Sequence, residues 1–251
     1  MDNIQETLLF PVRDAESRKQ FLIACVVMLS AFIIPILPTL VLMGYSARIM
    51  RQVIEERKAP SMPSWQGSDV SEMLLDGLRL WGAQLVLTLP LLLLMGCGMI
   101  FMTSGSIGFA ALSENNANSF APVGVLLFIL GLLFFGLFGI LSLPYGVIIS
   151  AALPHVAVKR SFQAAFEFKE WFAIFRKALG QFILGYAVIM IASFIVAIVM
   201  QIAMVTIVLI CILPFLMIPY IAYQMLIMNT VFAQAYAMGQ AALQQKALEA
   251  A

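Results

Sequence analysis

The sequence predicts an all-α membrane protein of about six transmembrane or re-entrant helices in three hairpins, with amphipathic interfacial helices on the cytoplasmic side. Three observations predict it. The 251 residues are 63% hydrophobic and 11% charged, whereas soluble domains carry about a quarter charged residues. Residues 80–154 hold one charged side chain, Glu114, and residues 178–245 hold none; tracts that long and apolar need a bilayer as solvent. All 14 Lys and Arg residues fall in four short segments, 1–20, 48–79, 155–177 and 246–251. Lysine and arginine concentrate on the cytoplasmic side of membrane proteins, so these segments are expected to share that face. The chain reads as a single polytopic domain, residues 1–251. Its hairpins lie at about 21–56, 80–153 and 179–237, and its cytoplasmic segments at 1–20, 48–79, 155–177 and 238–251.

The first hairpin is the shortest. Residues 21–43 are uncharged but interrupted by Pro35 and Pro38, which break or kink a helix by removing donors and crowding the preceding turn. The expected path runs in over 21–34, turns at 35–38 and returns over 39–56. Arg48, Arg51, Arg57 and Lys58 then rejoin Arg13, Arg18 and Lys19 on one side. Both arms are short for a full crossing, so this hairpin is either spanning or partly re-entrant. Residues 46–58 are amphipathic, with Arg48, Arg51, Glu55 and Lys58 on one stripe. A proline-punctuated loop, APSMPSWQG, leads to Asp69 and Glu72, which resemble a capping box at a helix start.

The second hairpin is expected to cross over 80–102, with a kink at Pro90, and to return over 120–153. Residues 103–119, TSGSIGFAALSENNANS, are read as an outside polar loop without lysine or arginine. The third comes from the 48 uncharged residues 181–228, roughly 70 Å of helix against a ~30 Å hydrocarbon core. That tract has to cross twice and is expected to turn near 201–206. Both termini are then cytoplasmic.

Between the second and third hairpins lies HVAVKRSFQAAFEFKEWFAIFRK, residues 155–177. Ala164, Phe168, Trp171, Phe172, Phe175 and Leu179 are expected on one helical face, with Lys169, Arg176 and Lys177 beside or opposite it. Aromatic rings at headgroup depth and cations against anionic lipid suit an interfacial helix. The candidate lipid- or partner-contacting residues are Arg48, Arg51, Lys159, Arg160, Phe168, Trp171, Phe172, Phe175, Arg176 and Lys177.

Little in the sequence suggests chemistry. The membrane tracts contain no Asp, Glu, Lys, Arg or His, the groups with which ion-coupled transporters hold their ion. Gln224 and Asn229 could line an intramembrane polar path, although interhelical hydrogen bonding is the favoured reading. The glycines between residues 96 and 146 read chiefly as close-packing positions. His155, the single histidine, has no second ligand or nucleophile near it and reads as an interfacial residue. Cys25, Cys97 and Cys211 sit in apolar tracts, as free thiols do. No triad, phosphate-cradling loop or metal-ligand spacing is present. No catalytic residue, metal site or cofactor is therefore expected, and no basic run suits nucleic acid.

Several stretches together resemble a prokaryotic integral-membrane family known as domain of unknown function 4013. They are the FP-x-RD opening (Phe10, Pro11, Arg13, Asp14), the Gly44–Tyr45 pair followed by arginines, Pro63-x-Trp65, the run Leu75-Asp76-Gly77-Leu78, and Phe166-Glu167-Phe168. The sequence departs from the family's acidic W-D-D-W type run after Trp65, where it reads WQGSDVSE. The resemblance implies a multi-pass membrane protein and brings no catalytic residues. The expected role is that of a non-enzymatic accessory subunit in the cell (inner or plasma) membrane, partnered by lipids and by other membrane subunits or its own copies. The alternative is a permease or lipid-handling transporter.

Overall fold

The computed structural model describes residues 4–65, 69–113, 121–204 and 207–249, and among them there is no strand. The helices are α1 (Ile4–Leu9), α2 (Ala15–Leu29), α3 (Leu37–Glu55), α4 (Val70–Ser113), α5 (Ala121–Ile149), α6 (Ala152–Lys159), α7 (Phe168–Lys177), α8 (Leu179–Met204) and α9 (Ile207–Glu249). Short 3-10 turns occupy Ser30–Phe32 and Phe162–Phe166.

Local chemistry explains where these helices start and stop. Asp14 caps α2 by accepting from the Ser17 backbone N–H at 2.7 Å, and Arg18 Nε donates back to the Val12 carbonyl at 2.9 Å. The FP-x-RD opening is thus a helix start: Phe10 is buried and the aspartate satisfies an orphan donor. Asp69 does the same for α4, accepting from Ser71 N at 2.9 Å and from its hydroxyl at 2.8 Å. The proline pair separates α2 from α3, with Pro38 in the first turn of α3, where a missing N–H costs nothing. The long apolar tract after residue 178 divides between Met204 and Ile207; residues 205–206 of its expected turn lie outside the described residues.

The chain forms two compact units, Met1–Gln84 with Val147–Ala251, and Leu85–Gly146. In the first, α3 is the central element: Leu40 to Ala47 are all buried, and α3 packs on α9, α6 and α2. α9 buries Ala222, Leu226, Asn229 and Thr230, with Asn229 hydrogen-bonded to Ser46 of α3, whereas its Val231 and Phe232 meet α8 at Gly185 and Phe182. In the second, α4 and α5 run antiparallel, and their glycines set the spacing. An added Cβ on Gly105 would come within 2.5 Å of Phe128 N, and one on Gly108 within 2.4 Å of Gly124 Cα. Gly131 meets Met102 and Gly98 meets Phe134 and Phe135, whereas Gly96, Gly136 and Gly139 face open space. The close-packing role of these glycines is therefore real at some positions and absent at others.

One expected loop is largely helix. Residues 103–113 complete α4, because Thr103 and Ser106 turn their hydroxyls onto the carbonyls of Met99 and Thr103 at 2.8 Å each rather than competing for the backbone. Residues 114–120 of that loop lie outside the described residues.

Among the described residues, four helical stretches are long and apolar enough to cross a membrane: Val70–Gly108, Pro122–Lys159, Leu179–Met204 and Phe215–Glu249. The apolar windows of the first three are only 11%, 11% and 17% buried, against 44% for the last. A helix apolar on all sides yet unburied has lipid as its natural neighbour. This is a membrane protein.

Candidate interfacial site

The Gly44–Tyr45 pair and the Leu75-Asp76-Gly77-Leu78 run meet at one place, the crossing of α3 and α4. A Cβ on Gly44 would stand 1.7 Å from the Met73 carbonyl oxygen, and one on Gly77 1.8 Å from that of Leu40. Only glycine lets two backbones approach so closely. Beside this contact, Asp76 is 3% exposed and faces two guanidiniums, Arg51 Nη1 at 2.7 Å and Arg79 Nη1 at 2.9 Å. Arg51 also donates to the Ala157 carbonyl at 3.4 Å, so one side chain ties α3 to α4 and α6. Arg51, a candidate lipid or partner contact in the sequence, is 8% exposed and faces Asp76 in the interior.

A second motif closes the same end. The rings of Tyr45 and Trp65 stack at 4.2 Å and 4°, and Tyr45 donates its hydroxyl to the Pro63 carbonyl at 2.6 Å. Trp65 donates its ring N–H to the Gln20 carbonyl and its backbone N–H to Gln20 Oε1, both at 3.1 Å. The Pro-x-Trp loop is thereby latched onto α2.

His155 is buried, 2% exposed, and is not the interfacial residue its position suggested. Its Nδ1 lies 2.7 Å from Tyr236 Oη and its Nε2 2.9 Å from Glu167 Oε2. An ionised Glu167 can only accept, so Nε2 is the donor in that contact. Lys159 Nζ donates to Glu167 and, at 2.6 Å, to Glu170. Ligand atoms of His155, Glu167 and Glu170 lie within 4.8 Å of one another and could reach one cation, but the Lys159 ammonium already bridges both carboxylates.

Lys159 foremost, then His155, holds the Glu167 carboxyl below its ordinary value of 4.5. A depressed carboxylate pKa contributes stability that is fully present above the unfolded value and lost as pH falls through the folded one. Thermal melting in detergent should therefore show a loss of stability below pH ~4.5. Glu167→Gln should remove this residue's share of that step, read as a shallower fall in melting temperature on acidification, while the shares of Asp14 and Asp69, whose carboxyls are also held low, remain.

The 155–177 segment is not one helix. Arg160 ends α6 in the left-handed conformation, φ 48°, and pairs with Glu72 at 2.8 Å; the 3-10 turn and then α7 follow. The expected single face splits in two. Trp171 and Phe175 point inward at 3% and 4% exposure, joined by Ile174, Ala178 and Phe182, with Phe175 and Phe182 in ring contact at 5.3 Å. Phe168, Phe172 and Leu179 point outward, alongside exposed Lys169, Arg176 and Lys177. Arg48 is half-buried and reaches the Ser64 carbonyl at 3.5 Å.

The intramembrane amides are engaged between helices. Asn229 Nδ2 donates to Ser46 Oγ and Gln224 Nε2 to Ser193 Oγ, both at 2.9 Å. Cys25 is buried and Cys97 exposed, both as free thiols; the side chain of Cys211 lies outside the described residues.

A family model described as "Protein of unknown function (DUF4013)" matches residues 27–209. The chain belongs to this family. No curated protein and no solved structure matches it. The DUF4013 match takes in the Gly44–Gly77 crossing, the Arg51–Asp76–Arg79 cluster and His155 with Glu167. Gln20, Tyr236 and the stripe of α9 that covers α3 lie beyond the matched residues.

Proposed function

We propose that this DUF4013 protein is a non-enzymatic, multi-pass component of a prokaryotic cell membrane, an accessory subunit that packs against other membrane proteins and lipid headgroups. The observation that carries the reading is the outward row of Phe168, Phe172 and Leu179 beside exposed Lys169, Arg176 and Lys177. Amphipathic rings and cations together suit the headgroup layer or the rim of a partner. The small share of buried residues in the apolar windows of α4, α5 and α8 leaves surface for neighbouring helices. In this reading the two short helices α2 and α3 join the four long ones as a sixfold pattern of spanning or re-entrant helices. Both termini face the cytoplasm.

Purification from native membranes in a gentle detergent tests the role. Stoichiometric co-purifying subunits are the expected result. A lone particle with a continuous hydrated cavity lined by Gln224 and Asn229 would favour transport instead. Sidedness has its own measurement: a membrane-impermeant thiol reagent on intact cells should label Ser106→Cys and leave Ser61→Cys untouched in a cysteine-free background. The reverse pattern would invert the orientation.

A further inference from the structure

We propose that the outward face of α2 holds one acyl chain of an anionic phospholipid, with the lipid phosphate at Arg18 and Lys19. α2 buries Ser17, Gln20, Ala24, Cys25 and Met28. Its opposite face carries a shallow groove of about 550 Å³. Arg18 and Lys19 form the head of this groove, and Leu22, Ile23, Val26 and Val27 line its length. Leu22 and Val26 are 63% and 65% exposed. The other side of the helix is already packed, so this aliphatic side needs a nonaqueous cover. From Lys19 to Val27 the helix rises about 12 Å, which stays within one leaflet of a ~30 Å hydrocarbon core. The groove is therefore cationic at one end and aliphatic along the rest, the order in which a phospholipid presents its head and its chain.

The charges say which lipid. No carboxylate lines the groove, and those nearby in the chain are engaged elsewhere. Asp14 caps the Ser17 backbone N–H, Glu16 accepts from Gln20, and Glu6 pairs with Arg13. Arg18 uses its Nε on the Val12 carbonyl. Its two terminal nitrogens and the Lys19 ammonium have no acceptor among the described residues. Two exposed cations without counter-ions favour a negative headgroup, and each lysine or arginine near an anionic bilayer surface adds to that attraction. A zwitterionic headgroup brings its own compensating cation and gains less. A covering protein helix would have to place an acidic side chain level with Arg18 and Lys19 above an aliphatic stripe, whereas one lipid molecule supplies both. The inference rests on α2 entering the lipid, as in the reading above, and is independent of the accessory role and of the row on α7.

Photolabelling of the full-length protein in phosphatidylcholine nanodiscs tests the proposal. The probe is phosphatidylglycerol with a diazirine in one acyl chain, compared with the matching phosphatidylcholine probe at the same trace concentration. Labelled peptides are mapped by mass spectrometry. The phosphatidylglycerol probe should label residues 22–27 at least threefold more heavily than the phosphatidylcholine probe. The ratio should fall towards one in the double variant Arg18→Gln, Lys19→Gln, and should hold in Lys169→Gln, Lys177→Gln, each variant checked for a wild-type melting temperature. Equal labelling by the two probes in the wild-type protein would overturn the proposal while leaving α2 in the lipid. A preference that survives the Arg18 and Lys19 changes, or falls equally with the Lys169 and Lys177 changes, would also overturn it, since net charge or another site would then set the preference. Labelling of residues 22–27 by neither probe would overturn both this proposal and the entry of α2 into lipid, because protein or water would then cover the groove.

Discussion

Gly77→Val should yield almost no folded protein, and Gly44→Ala should already be severely destabilised. Overpacking an ordinary core site costs about 1–3 kcal/mol because side chains move aside. Here the obstacle is backbone, a carbonyl oxygen 1.7–1.8 Å from the new atom, so the two helices themselves would have to separate. Separation would also pull Asp76 away from Arg51, since that pair lies beside the crossing. The measurement is recovery of monodisperse protein from detergent, with the midpoint of an SDS titration where enough survives. Gly139→Ala, at a position with open space around it, is the matched control and should behave like wild type. Wild-type stability in Gly44→Ala would show that the α3–α4 contact is not made.

Asp76→Ala comes next in size. It removes a carboxylate that is 3% exposed and faces two arginines. Removing one member of a buried pair leaves the other charge uncompensated, typically at a cost of about 3–5 kcal/mol. Arg51 is the charge left behind. Arg79→Ala should cost far less, since its side chain is 38% exposed and water can take over. The double variant Asp76→Leu, Arg51→Met should recover much of the loss, because replacing an entire buried pair by apolar groups is often neutral. If Asp76→Ala and Arg79→Ala proved equally mild, the interior ion pair would not be a stabilising feature of the folded state.

The class of the protein was legible from charge placement alone, because a bilayer penalises charge so strongly that its pattern survives every detail of packing. Helix starts were legible too: Asp14 and Asp69 act on their own neighbours within three residues. What sequence reading missed depended on contacts far apart in the chain. His155 looked solitary because its partners are Glu167 and Tyr236, the latter 81 residues away. The 155–177 segment looked like one helix because the residue types suit a single stripe, yet Arg160 turns left-handed and re-phases everything after it. One long-range contact does leave a mark in the sequence. Met73, Asp76, Gly77 and Leu80 recur at i, i+3, i+4 and i+7, the spacing of a buried stripe, and all four are buried. A carboxylate at such a position calls for a basic partner across the interface, and Arg51 is that partner.

The reliance of α3 on α9 has a consequence for biogenesis. Ribosomes deliver α3 long before α9, yet part of the surface that covers α3, including the Asn229–Ser46 hydrogen bond, resides in α9. Until that helix emerges, Ser46 lacks its Asn229 partner and the side of α3 that packs on α9 is uncovered, and the nascent chain would present a half-finished bundle to insertases and quality-control proteases. Chains stopped before residue 207 should accordingly be inserted but short-lived, since membrane entry and survival depend on different parts of the sequence.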